Sequence, residues 1–72
     1  MIADADEMAL REELRELEER IPRLRQELMD LREELRDFDD SPTATRLLEE
    51  QEALIEVLEQ RRLTLLERLG LL

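Results

Sequence analysis

The chain has 72 residues, 21 acids against 11 bases and a net charge of −10. It contains no Cys, His, Trp or Tyr, which excludes a disulfide framework, thiolate or imidazole metal ligation, and His-based catalysis. So acidic a surface repels nucleic-acid phosphates and anionic lipids, and no apolar run approaches the ~20 residues of a membrane span.

These exclusions set the first expectations: no enzyme, no cofactor, no direct nucleic-acid contact and no membrane contact. With no leader pattern at its start, the expected compartment is the cytoplasm. Every base is Arg, and Asn is absent too. A GC-rich genome is the simpler account of both biases, because Lys and Asn use A-rich codons. A salt-adapted proteome is the second reading, since acidity with little Lys suits high salt.

In the first half, Leu10, Leu14, Leu17, Ile21, Leu24, Leu28, Leu31, Leu35 and Phe38 alternate steps of four and three. That spacing keeps one seam turned towards a partner helix, as in a coiled coil. It predicts helix 1 over about residues 4–38. Asp4, Asp6 and Glu7 put negative charge at its start, where the helix dipole favours it. Pro22 interrupts the run and costs roughly 3 kcal/mol inside a helix. Either a new helix begins there, or one helix continues with a kink. The second reading is preferred, because Ile21 is a poor cap and the seam keeps phase across Pro22.

Ser41-Pro42 reads as an N-cap followed by a first helical residue. Proline also steers Ser41 away from helical angles, so the chain must turn there. The expected turn covers 39–41 and joins two antiparallel neighbours. Helix 2 then runs over about 42–69, with Gly70 as its stop and Leu71 free to fold back. Folding about the turn is expected to match Leu35 with Leu48, Leu28 with Ile55, Ile21 with Arg62, and Leu14 with Leu69.

The apolar stripe of helix 2 is too wide for one neighbour to cover. Leu47, Leu54, Val57, Leu58, Leu65, Leu66 and Leu69 form the expected interface with a further helix. Two copies would bury the surplus as a two-fold four-helix bundle. Gln51 and Arg62 fall inside the stripe. They either snorkel at its edge or fix register and partner choice, with Glu18 or Glu59 as charge partner for Arg62.

Carboxylates repeat at helical spacing, for instance Glu12 with Glu16 and Glu49 with Glu52 and Glu56, and read as a solvated face. The turn is more concentrated, since Asp37, Asp39 and Asp40 lie at a chain reversal. Few carboxylates with open positions for water suit Mg²⁺, although Asp also caps and solvates turns.

The run Asp37-Phe38-Asp39-Asp40-Ser41 resembles the acidic tip in the N-terminal coiled-coil domain of Gre-type transcription factors, closest to their inhibitory homologues. Glu50-Gln51-Glu52-Ala53 and Ile55-Glu56 are similar, more loosely, to the descending helix of that domain. The resemblance implies an acidic rod that enters the secondary channel of RNA polymerase. Asp37, Asp39 and Asp40 would there share the catalytic Mg²⁺.

The fold expected from all this is all-α: an antiparallel two-helix coiled-coil hairpin, paired as a dimeric four-helix bundle. The expected function is a non-enzymatic interaction or oligomerisation module, with a homodimer or a helical protein as partner. The alternatives are a Gre-like regulator acting through the tip, or an acidic nucleic-acid mimic that fills a basic groove.

Overall fold

A computed structural model describes residues 3–72, with side-chain surroundings from residue 5 onward. The chain forms α1, Ala3–Glu34, a short 3₁₀ turn, Arg36–Phe38, and α2, Pro42–Arg68. The helices pack antiparallel along their length, giving a rod of 56 × 18 × 16 Å. Asp6 and Glu7 lie in the early turns of α1, as expected; the Asp4 side chain lies outside the described residues.

Pro22 sits within α1, and the helix continues through it. Proline has no N–H to give to the Glu18 carbonyl, so the helix loses one bond there. Pro22 is exposed while Ile21 beside it is 4 % exposed, so the seam is untouched. The burial of the seam outweighs the missing bond, each fully buried leucine contributing roughly 1.5–3 kcal/mol.

The inward residues of α1 are Leu10, Leu14, Leu17, Ile21, Leu24, Leu28 and Leu31, closed by Leu35 just beyond the helix, all buried or half-buried. Phe38 departs from the expected seam. The helix ends at Glu34, and Phe38 lies in the 3₁₀ turn, 59 % exposed. Two physical effects end the helix a turn early. Asp37, Asp39 and Asp40 place negative charge where a helix C-terminus already carries it, and Asp competes for the backbone in non-helical conformations. The connection therefore runs from Leu35 to Ser41. Phe38 N–H donates to the Leu35 carbonyl at 2.9 Å, and Ser41 N–H to the Phe38 carbonyl at 2.8 Å.

Ser41 adopts extended angles, φ −81° and ψ 124°, and its Oγ accepts from the Ala44 N–H at 3.3 Å. Pro42 is the first helical residue, as the sequence predicts. At the far end Gly70 has φ +70°. Its N–H donates to the Glu67 carbonyl, and the Leu71 N–H folds back to the Leu66 carbonyl at 2.8 Å. This is a Schellman closure, and it needs the left-handed angles glycine supplies.

The inward residues of α2 also step by four and three: Ala44, Leu48, Gln51, Ile55, Leu58, Arg62, Leu65 and Leu69. Leu65 is fully buried and shares a cluster with Leu14, Leu17 and Ile21, with Leu10, Leu58, Leu66 and Leu69 around it. Leu65 thus sits at the centre of that cluster, and Leu69 packs at its edge. Leu69 lies one turn further out and lines a hollow with Leu10. Leu28 and Ile55, matched in the sequence, line one shared hollow. Ala44 is only 4 % exposed, since a small side chain is what fits under the turn where the backbones converge. Among the described residues, no helix is long and apolar enough to cross a membrane.

Candidate interaction surface

The seam has two flanks, and they differ in chemistry. On the first, Glu18, Arg25 and Arg32 recur every seven residues along α1. Arg25 pairs with Glu59, and Arg32 Nη2 donates to Glu52 at 2.6 Å. The heptad partner of Glu18 would be Leu66, which cannot pair with it, so Glu18 instead accepts from Arg62 Nη2 at 3.1 Å. The α2 side of this flank is acidic, with Glu49, Glu52, Glu56 and Glu59.

On the second flank Arg61 donates to Glu13 through Nε at 2.6 Å and Nη2 at 2.9 Å. Those bonds hold the Glu13 carboxyl below its usual range, against a lesser opposing push from desolvation, and they raise Arg61. Seven and fourteen residues before Arg61 stand Leu54 and Leu47, where a charge would complete the ladder. The corresponding α1 residues are Arg20 and Glu27. Leu47 is 44 % exposed, Leu54 38 %, and Val57 beside them 63 %. Together they form an apolar ridge along α2, with Glu50 between Leu47 and Leu54.

The expected interface therefore divides. Leu47, Leu54 and Val57 stand open to a partner. Leu65 has no surface left to offer, while Leu58, Leu66 and Leu69 are half-buried against the hairpin's own core. Leu66, part of the surplus in the sequence, packs instead on the cluster of Leu14, Leu17, Ile21 and Leu65.

Arg62 finds the charge partner Glu18, whereas Glu59 goes to Arg25. Gln51 is half-buried, its Nε2 3.5 Å from the Leu24 carbonyl oxygen, a grazing contact. Both polar residues occupy inward positions of the heptad, not its edge.

At the tip, Asp37, Asp39 and Asp40 are exposed. Among the described residues, no group of three or more such side chains converges as a metal site would. Above Pro22 lies a surface hollow of about 350 Å³, lined by Glu18, Arg25, Glu59 and Arg62, all spent in the two cross-helix pairs just described.

The sequence suggests the Arg62–Glu18 pair, but not Arg25–Glu59, Arg32–Glu52, Arg61–Glu13 or the burial of Ala44, although a signal for the ion pairs is present. Charges stepping by seven beside the seam foretell a flank ladder once the register is known. Comparison with family models, curated proteins and solved structures finds no match to this chain.

Proposed function

We propose that this protein is a non-enzymatic interaction module that self-associates through the ridge of Leu47, Leu54 and Val57, forming a four-helix bundle. The ridge is the observation that carries the reading, because contiguous exposed apolar side chains mark an interaction surface. Surface area supports it. The chain exposes 5832 Å², whereas a compact monomer of this mass exposes about 4,700 Å². The excess is comparable to the roughly 800 Å² that each partner gives to a standard interface.

Sedimentation equilibrium at tens of micromolar should report twice the 8.6 kDa chain mass. A stable helical monomer under those conditions overturns the proposal. Leu54→Glu with Val57→Glu should shift the population to monomer while circular dichroism stays helical. Leu66 is unsuited to this test, because it packs on the hairpin core.

A second reading draws support from Phe38. An exposed aromatic amid three exposed carboxylates is a natural contact point at the end of a narrow rod. This favours the Gre-like role, in which the tip meets RNA polymerase. Asp39→Ala with Asp40→Ala should then change transcript cleavage or elongation by purified polymerase. An unchanged reaction removes this reading.

A further inference from the structure

We infer that the second copy docks with its α2 antiparallel to the first α2, about a two-fold axis between Leu54 and Val57, so that the acidic tips point to opposite ends. This rests on the self-association reading above and specifies its geometry. The outer ridge of α2 reads Thr43, Leu47, Glu50, Leu54, Val57, Arg61, Thr64 and Arg68, with Arg61 and Thr64 half-buried, again in alternating steps of four and three. Its spacing is the same read from either end. Glu50 lies as far before Leu54 as Arg61 lies after Val57, and Leu47 mirrors Thr64 in the same way.

A two-fold axis at the centre therefore places each Leu54 against the Val57 of the second copy. Each Glu50 then meets an Arg61, twice over by symmetry, which is the self-complementarity an isologous contact requires. Arg61 can serve both roles. It donates to Glu13 through Nε and Nη2, and a guanidinium has further N–H groups, on Nη1, for a carboxylate on the other side.

A bundle with both tips at one end does the reverse. It gathers two copies of Asp37, Asp39 and Asp40 within one end of a chain that already carries −10. Like charges brought together in this way oppose association and specify against the arrangement.

The chain has no Cys, so single labels are unambiguous. Spin labels at Ala53→Cys and, separately, at Asp39→Cys should be measured by pulsed dipolar spectroscopy, with the mass of each labelled sample taken by sedimentation. Ala53 lies near the axis and should give a distance of ~15 Å, while the tip labels should lie ~50 Å apart, from a rise of ~1.5 Å per residue. Tip labels within about 25 Å, or long distances at both positions, overturn the antiparallel arrangement and leave self-association standing. A monomer mass in every sample overturns self-association, and the arrangement with it.

Discussion

Arg62 occupies an inward heptad position of α2, yet its guanidinium reaches sideways to Glu18, with Nη2 3.1 Å from Oε2. The side chain lines one hollow with Ile21 and remains 40 % exposed. The pair is present because Leu66, the heptad counterpart of Glu18, cannot pair with it. Replacing an ion pair that intrudes on an apolar seam with a well-packed aliphatic side chain is often stabilising. Arg62→Leu should raise stability by about 1 kcal/mol in urea unfolding. It should also broaden the distribution of oligomers in sedimentation, because a polar seam position restricts register and partner number.

Burial separates leucines that look alike in sequence. Leu65 is fully buried in the cluster of Leu14, Leu17 and Ile21, whereas Leu63 is 39 % exposed two residues away. Leu65→Ala should cost about 3 kcal/mol, a large share of what so small a domain has. Leu63→Ala should cost less than about 1 kcal/mol. Urea midpoints at fixed protein concentration compare the two directly.

Pro22 is exposed within an unbroken helix, so nothing in the packing requires it. Pro22→Ala restores the N–H for the Glu18 carbonyl and should stabilise by roughly 2–3 kcal/mol. A thermal melt that fails to rise would mean that the backbone bends at Pro22 to accommodate the hairpin's packing.

The cap at Ser41 joins the turn to α2 through a single side-chain bond to the Ala44 N–H. Ser41→Ala should cost about 1 kcal/mol, and Ser41→Asp should recover most of it. The two denaturation curves, read beside the wild type, check both halves of the expectation.

The Glu13–Arg61 pair sets a pH dependence. Hydrogen bonds from Arg61 lower the pKa of Glu13 in the folded state, so the unfolded chain takes up that proton first as pH falls. The pair's contribution is therefore complete above the ordinary carboxylate range and is lost as pH drops through Glu13's lowered value. The melting temperatures of wild type and Glu13→Gln should differ at neutral pH and converge in acid. A constant gap across that range would show that Glu13 acts through packing alone.

The hairpin itself was legible from the linear order of residues. Leucines stepping by four and three, with Ser41-Pro42 between them, are local signals, because periodicity and capping depend on near neighbours. Continuity through Pro22 was legible for the same reason, since the seam kept its phase. Coverage was not. The Asp-rich segment ends the first helix one turn before Phe38 and leaves that residue exposed. The packing of the two helices buries Leu65 and Ala44. It also leaves Leu47, Leu54 and Val57 as the open ridge. Periodicity defines which face of a helix is apolar; only the packed partner decides how much of that face remains in water.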